Sequence, residues 1–310
     1  VPMVQFLEVV QRNAPTSPRL QEITRRPALA KTRRFSVVIG AVLLSFVCGG
    51  TLAAEGQRVD LVDRTSLRVC ADPANMPFSS DKGEGFENKI AEIVADELGV
   101  PVTYTWFPQA IGFVRNTLFA KRCDVIIGYA QGDELVLNTN HYYRTAYALV
   151  YRKNNGLDGV DTLSDPRLKD RRIGIIAGTP PSATMARLGL MTHARPYPLM
   201  VDRRYDSPAE RMIADIRSGE IDAGVLWGPI AGYFASRNGE KLEVVPLLKE
   251  TVGPRMIYRI TFGVRNLEDE WKRELNRIIA KRQGDIDAVL LDYGVPLLDE
   301  HSNPITKPRH

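Results

Sequence analysis

The chain has 310 residues, of which 44% are hydrophobic and 25% charged, so it is long enough for two globular domains with substantial cores. Its formal net charge of +4 originates in residues 1–54, which carry seven Lys and Arg residues against two acidic ones. The other 34 basic and 35 acidic residues leave a net charge near −1. This balance gives no electrostatic basis for binding nucleic acid.

Residues 1–54 have the composition of a disordered leader followed by a secretory signal peptide. A basic stretch, Lys31–Arg34, precedes a short apolar run, Phe35–Val47, and small residues then offer a cleavage site after Ala53 or Ala54. The alternatives for the apolar run, which is short for a membrane span, are a buried helix or an uncleaved anchor. We expect export to the periplasm, with no stable membrane anchor once the signal peptide is removed.

Two cysteines remain beyond the leader, and each lies at an end of a predicted strand. In an oxidising compartment Cys70 and Cys123 can form a disulfide if their strands are neighbours. Two buried free thiols are the alternative. The sequence has no CxxC motif and no Cys/His cluster, so we expect no metal site.

The first half of the remaining chain is typical of an α/β domain. Leu67–Cys70 is a short β-run, and a polar loop separates it from an amphipathic helix over residues 86–99. A strand at Pro101–Trp106 and a helix at Ile111–Lys121 are predicted next. The almost wholly apolar run Cys123–Gly128 indicates a strand buried on both faces. We expect parallel strands in a β-α-β-α-β order, with functional residues at their carboxyl ends.

The second half repeats this pattern after an aperiodic segment, residues 129–145. Arg172–Ala177 and Ile221–Trp227 are predicted strands, and Thr179 belongs to a loop that opens a helix. Ser207 begins a capping box with Pro at the first helical position, so another helix is predicted there.

Two further strands, Ala146–Arg152 and Arg259–Val264, are predicted to join one α/β lobe to the other. We therefore predict an α/β, two-lobed clamshell with a cleft between the strand ends of its lobes. The predicted boundaries are residues 64–149 plus 259–298 for the first lobe, 150–258 for the second and 299–310 for a tail.

Several stretches resemble one family of periplasmic solute-binding proteins. They read RVCADPANMPFS, GEGFENKIAE, FVRNTLFAKRCDVIIG and LWGPIAGYF. Over residues 64–298 the chain is similar to the quinoprotein-dehydrogenase-associated ABC-transporter substrate-binding proteins, the MxaJ/XoxJ family. The resemblance implies a type II periplasmic-binding-protein fold and a binding protein, not an enzyme.

The same resemblance implies a place beside a periplasmic methanol dehydrogenase that uses pyrroloquinoline quinone (PQQ). Family members are encoded with this dehydrogenase and its cytochrome c and are thought to assist its maturation or activation. We expect the dehydrogenase as partner, its cytochrome c as a second candidate, and no cofactor on this chain itself. A solute receptor of an ABC transporter, for a ligand other than an amino acid, is the alternative.

Amino-acid-binding relatives hold the ligand by two charged anchors that this sequence lacks. They place an Arg in the loop after the third strand, where it holds the ligand carboxylate. Here that loop, residues 128–135, contains Asp133 and Glu134. The Asp that holds the ammonium group on the second lobe is replaced by Trp227-Gly228-Pro229. A free amino acid is therefore not the expected ligand.

Mostly aromatic residues take the place of these anchors at predicted strand ends and cleft loops. Such a cleft suits an apolar ligand or an extended peptide segment. The alternative for each aromatic residue is a place in the core or at the lobe interface, while Asp72 would cap a turn and Arg144 would bridge the lobes. The candidate cleft residues are Asp72, Phe78, Trp106, Tyr142, Tyr143, Arg144, Tyr147, Thr179 and Trp227.

Overall fold

The computed structural model describes residues 61–237 and 242–309, and the predicted leader and signal peptide, residues 1–54, lie outside the described residues. The helices of this part are α1 (Phe86–Leu98), α2 (Phe113–Asn116), α3 (Pro180–Arg187), α4 (Pro208–Ser218), α5 (Gly228–Ala235), α6 (Asp269–Lys281) and α7 (Gln283–Asp292). The strands are β1 (Leu67–Ala71), β2 (Ala74–Asn75), β3 (Ser79–Ser80), β4 (Val102–Trp106), β5 (Val125–Ala130), β6 (Leu137–Tyr151), β7 (Ile173–Ile176), β8 (Arg195–Tyr197), β9 (Ala223–Trp227), β10 (Glu243–Pro246) and β11 (Ile257–Val264).

The sheet of the first lobe contains three parallel strands followed by two antiparallel ones. Strand β1 lies between β4 and β5 and pairs in parallel with both. Strand β11 then pairs antiparallel with β5 on one side and with the first part of β6 on the other. The parallel β-α-β-α-β start that the sequence predicts is confirmed by this pairing.

The second lobe shares the long strand β6 with the first. From Tyr147 onward β6 pairs antiparallel with β9 and β10, and β9 continues through β7 to β8. The backbone of Tyr147 marks the change of partner, because its N–H donates to Met256 and its carbonyl accepts from the N–H of Leu247, at 3.0 and 2.8 Å. The α/β, two-lobed fold is therefore confirmed, while the lobe boundaries stay a prediction.

Helix α1 packs against the first-lobe sheet at the carboxyl end of β1. Its start is fixed by Asn88, whose side-chain oxygen accepts hydrogen bonds from the backbone N–H groups of Ser80 and Gly85 at 3.0 and 3.1 Å. It ends at Gly99, which adopts a left-handed conformation with φ of 69°. None of the described helices has the length and apolarity that crossing a membrane requires.

One sequence prediction of secondary structure is wrong, and part of one strand was not predicted at all. The helix predicted over Ile111–Lys121 is limited to α2, and Phe119, assigned to its apolar face, is 41% exposed. Residues 137–145, within the segment that has no clean period, belong to β6. Bulges interrupt the pairing of this part of β6 with β11 and change the face on which successive side chains lie, so the segment shows no regular alternation.

The predicted tail is folded against the two strands that cross between the lobes. Glu300 accepts hydrogen bonds from His141 on β6 and Arg259 on β11, both at 2.7 Å. Farther along, the Arg309 side chain donates to the carboxylate of Asp287 at 2.7 Å. Residues 299–309 thus form a strap over β6 and β11.

The lobes also approach each other closely along helix α5. A Cβ atom at Gly232 would overlap the carbonyl oxygen of Gly294, and one at Gly228 would overlap the carbonyl oxygen of Ala146. We refer to Gly228, Gly232 and Gly294 as the glycine seam. Beside it the rings of Tyr233 and Tyr293 stack with centroids 5.9 Å apart.

A disulfide joins Cys70 on β1 to Cys123, just before β5, and closes a sequence separation of 53 residues. Replacing both cysteines with Ala should lower the free energy of unfolding by about 4 kcal/mol, because the unfolded chain regains the entropy of that loop. Urea denaturation of parent and variant measures the difference. A reductant should reproduce the loss in the parent and leave the variant unchanged; equal stability of oxidised parent and variant would contradict the prediction.

Glu87 is a buried acid in the first turn of α1, packed so tightly that a Cβ atom at Gly128 would overlap its carboxylate. Burial, with the nearby Asp72 charge, raises the pKa of Glu87 from 4.5 to about 8. The folded chain therefore keeps a proton that the unfolded chain releases above pH 4.5, so the free energy of unfolding falls as the pH rises toward 8.

Glu87→Gln should flatten this dependence, by up to about 4 kcal/mol between pH 5 and 8. Urea denaturation across this pH range gives the slope of the unfolding free energy against pH. Burying the amide that replaces the Glu87 carboxyl changes the stability by the same amount at every pH and so leaves this slope unchanged. Glu92→Gln, on the exposed face of the same helix, is the control and should keep the parent slope. A parent-like slope for Glu87→Gln would show that the carboxyl ionises freely in the folded chain.

Candidate functional site

A cavity of about 890 Å³ lies between the two lobes. Its first-lobe wall is the segment between β1 and α1, residues 73–84. Its second-lobe wall comes from residues 198–210 and 225–237, and Tyr147 reaches it from the shared strand. The volume is near the upper end of the range for small-molecule sites, so the cavity has room for a ligand far larger than an amino acid.

The first-lobe wall is a hairpin held from behind. Ala74 and Asn75 on β2 pair with Ser80 and Ser79 on β3. The side-chain amide of Asn75 donates to Gln109 at 2.7 Å and so ties the hairpin to the loop after β4. These buried hydrogen bonds fix the hairpin, and with it the residues that it presents to the cavity.

The second-lobe wall contains the starts of three helices, and prolines remove N–H groups from each of them. Helix α3 has Pro180 and Pro181 in its first turn, α4 has Pro208 and α5 has Pro229. The free N–H groups of a first helical turn normally make it a site for anions. Since proline has no N–H, each of these helix starts has at least one donor fewer for a carboxylate.

Two of the N–H groups that remain in these turns already have partners. The N–H of Ser182 donates to the carbonyl of Thr179 at 3.0 Å. The N–H of Glu210 donates to the Ser207 hydroxyl at 3.3 Å, as the predicted capping box requires. These two N–H groups are therefore not available to hold the carboxylate of a free amino acid.

Only about half of the accessible wall of the cavity is apolar, and the rest is polar, with charged side chains that include Arg203 and Arg204. Sequence reasoning missed the residues that form the apolar part. Three of them lie on α5 at positions i, i+3 and i+4, so a second apolar face on that helix was the signal that could have revealed them. The others lie in loops without periodicity. The six half-buried residues are Met76, Leu199, Val201, Ile230, Tyr233 and Phe234.

Four of the predicted cleft residues line the cavity: Phe78, Tyr147, Thr179 and Trp227. The three aromatic ones are at most 1% exposed, so they form its base and are part of the core as well. Tyr147 and Trp227 pack edge to face at 5.1 Å, and Tyr258 completes the cluster at 5.6 Å from Trp227. Within the described residues, Trp227 Nε1 and Tyr147 Oη have no hydrogen-bond partner.

Three other predicted cleft residues lie away from the cavity lining, in the first-lobe sheet. Trp106 is on the edge strand β4, where it stacks on Tyr104 at 4.4 Å. Tyr142 and Tyr143 are fully buried on β6, with ring centroids 4.9 Å apart. The pairing of β6 with β11 skips Tyr142, and this bulge brings both rings into the same core.

Arg144 is also absent from the cavity lining, because it holds the strap. Its guanidinium donates to the backbone carbonyl of Asp299 and to the Ser302 hydroxyl. These partners of Arg144 lie in the strap, outside the cavity lining. A strap over β6 could not be foreseen from a tail with so little sequence signal.

Asp72, the last candidate, lies behind the hairpin and pairs across the cavity. Its carboxylate accepts from the backbone N–H groups of Ala74 and Gln109 at 2.9 and 2.7 Å, and from Arg203 of the second lobe at 3.1 Å. It therefore caps a turn and faces the other lobe at once. Burial lowers the pKa of the Arg203 guanidinium below its ordinary value, while the charge of Asp72 opposes that shift.

Comparison with known proteins places these features in a family. No family model matches the chain. A crystal structure of the periplasmic binding protein XoxJ from Methylobacterium extorquens AM1 is 50% identical and superposes with a TM-score of 0.65 over 76% of this chain and 100% of that one. Protein MoxJ of Methylorubrum extorquens is 33% identical over 76% of this chain and 83% of its own length. The chain belongs to the MxaJ/XoxJ family of periplasmic binding proteins.

MxaJ from Methlophaga aminisulfidivorans MPT has a more distant crystal structure, 29% identical, with a TM-score of 0.65 over 75% of this chain and 100% of that one. In the MxaJ/XoxJ chain described here, the loop after β5 that carries acids in place of the ligand-binding Arg does not line the cavity. Its Asp133 accepts a hydrogen bond from Tyr129 at 2.9 Å. Residues 61–237 and 242–309 contain no cluster of three or more His, Cys, Asp or Glu side chains that could hold a metal ion.

Trp227→Ala should lower the free energy of unfolding by about 3–5 kcal/mol, because it removes the largest ring from the base of the cavity. Met76→Ala is the matched control, since Met76 lines the same cavity but is half-buried, and its change should cost less than about 1.5 kcal/mol. Urea denaturation measures both. Similar values for the two variants would mean that Trp227 is not part of the core.

Proposed function

We propose that this chain is a periplasmic accessory protein that assists maturation or activation of a PQQ-dependent methanol dehydrogenase by binding an apolar segment of it between the lobes. The observation that carries the proposal is the large interlobe cavity, whose wall includes a set of half-buried apolar and aromatic side chains and three helix starts that contain proline. The function rests on membership of the MxaJ/XoxJ family and on what that family implies.

The chemistry of the cavity supports a peptide segment more than a free metabolite. An extended segment brings apolar side chains and backbone groups that carry no net charge. The half-buried wall residues, such as Val201 and Phe234, suit such side chains. Trp227 Nε1 and Tyr147 Oη at the base would serve a carbonyl oxygen if the rings shift to admit it.

Two observations support a periplasmic location. The sequence of residues 31–54 has the parts of a signal peptide, and a disulfide joins Cys70 to Cys123. Disulfides form and persist in oxidising compartments, of which the bacterial periplasm is one. The methanol dehydrogenase that the family serves occupies the same compartment.

A solute receptor of an ABC transporter is the second candidate, and the unpartnered donors at the cavity base favour it. A neutral organic ligand with one acceptor oxygen would satisfy Trp227 Nε1 or Tyr147 Oη and fill the apolar wall. The two candidates differ in what the cavity holds. The same cavity variants therefore separate them when they are tested against the dehydrogenase.

Met76→Glu and Val201→Glu, one on each wall, should each weaken binding to purified quinoprotein methanol dehydrogenase at least tenfold, because an unpaired charge would be buried on association. Leu267→Glu adds the same charge at a residue that is 74% exposed and outside the cavity lining, and should bind like the parent. Biolayer interferometry with the immobilised protein gives the dissociation constants.

Equal binding by all three variants would mean that the dehydrogenase does not use the cavity. If the parent does not bind the dehydrogenase and a small molecule is extracted from the purified protein, the solute receptor is favoured instead. Thermal denaturation of each variant should match the parent, because Met76 and Val201 are half-buried and lie outside the hydrophobic core clusters.

A further inference from the structure

An ion pair joins the two lobes across the cavity. A guanidinium nitrogen of Arg203, from the loop that lines the second-lobe wall, lies 3.1 Å from the carboxylate of Asp72, at the end of β1 in the first lobe. The Asp72 side chain is 5% exposed and that of Arg203 26% exposed. In this arrangement both charges are largely removed from water.

We propose that Asp72 and Arg203 form a clasp by which the chain closes its own lobes. In this arrangement a side chain of the second lobe makes the charged contact that bridges the lobes, so closure does not depend on a charged ligand. The proposal concerns the lobes themselves and does not depend on which molecule enters the cavity.

Asp72 is held ready for this contact by its own lobe. The backbone N–H groups of Ala74 and Gln109 donate to its two carboxylate oxygens, so the carboxylate has a fixed orientation before Arg203 arrives. Gln109 is itself tied to Asn75 of the hairpin. One oxygen of Asp72 then accepts from both Gln109 and Arg203.

The same geometry makes the clasp reversible. When the lobes separate, Asp72 keeps its two backbone donors, and the Arg203 guanidinium regains water as its partner. Neither group is left buried and unpaired, which is the condition that makes a broken buried ion pair so costly. The clasp therefore favours the closed arrangement without locking it.

The neighbouring residue, Arg204, shows what an arginine in this loop does without the contact. Its guanidinium pairs with Asp202 of the same loop at 2.6 Å, and its side chain is 66% exposed. Of two adjacent arginines, Arg204 thus pairs within its own loop and Arg203 pairs with the other lobe. Arg204→Ala removes the same charge as Arg203→Ala but leaves the interlobe contact intact.

The clasp also defines what an incoming ligand must do. A molecule that enters the space between the hairpin and the loop around Arg203 can fit beside the intact ion pair. Otherwise it must separate Asp72 from Arg203 and supply new partners for both charges. A ligand that needs the lobes apart will bind faster and more tightly once the pair is removed, because opening then no longer breaks it.

Small-angle X-ray scattering of the purified protein tests the clasp. Arg203→Ala should increase the radius of gyration, since a population with separated lobes appears, whereas Arg204→Ala should scatter like the parent. Asp72→Asn is the second variant: it removes the charge but keeps an oxygen that can accept a backbone hydrogen bond, and it should expand the protein as Arg203→Ala does. Far-UV circular dichroism should give the parent spectrum for all three.

Equal radii for Arg203→Ala and Arg204→Ala, whether parent-like or expanded, would overturn the clasp. A parent-like radius for a folded Asp72→Asn variant would overturn it as well, even if Arg203→Ala proves unfolded. Expansion of both Arg203→Ala and Asp72→Asn, with Arg204→Ala unchanged, is the result expected. None of these outcomes depends on binding to a dehydrogenase, so the proposed function stands or falls separately.

Discussion

Strand β6 changes its hydrogen-bonding partners at one residue, and the two-lobed structure depends on that change. Up to Ala146 it pairs with β11 of the first lobe, and from Tyr147 it pairs with β9 and β10 of the second. The Tyr147 ring lies at the base of the cavity, where it packs on Trp227. The same residue thus belongs to the crossing between lobes, to the core and to the candidate site.

The contacts between the lobes are of two physical kinds. The glycine seam is an approach of backbone to backbone that any side chain would prevent, and it lies where α5 leaves the base of the cavity. The pair of Asp72 and Arg203 is instead a contact between charges, which water can replace. A rigid contact beside a replaceable one is the combination that hinge motion about the crossing strands requires.

Much of the fold could be predicted because local and tertiary signals agree. The apolar run in β5, the helical spacing of α1 and the capping box of α4 each correspond to what the structure shows. Where one signal was missing, prediction failed. Bulges interrupt the pairing of the first part of β6, which therefore shows no alternation, and the segment around α2 has the spacing of a long helix but forms only four helical residues.

Prediction of the site was less complete, because strand ends alone do not define a cavity. Phe78 and Trp227 were predicted from their positions at or after a strand end, and both line the cavity. Tyr142 and Tyr143 were predicted as cleft residues because they are aromatic, but a bulge directs their rings into the core. Arg203 was missed, since its partner Asp72 lies 131 positions away. A contact between loops of different lobes has no periodic signature in a sequence.

The prolines that start α3, α4 and α5 have a consequence for competition among solutes. Free amino acids and organic acids share the carboxylate group, and the prolines leave fewer N–H donors for it in these helix turns. A carboxylate therefore gives a solute less advantage over its competitors at these helix starts than at helix starts without proline.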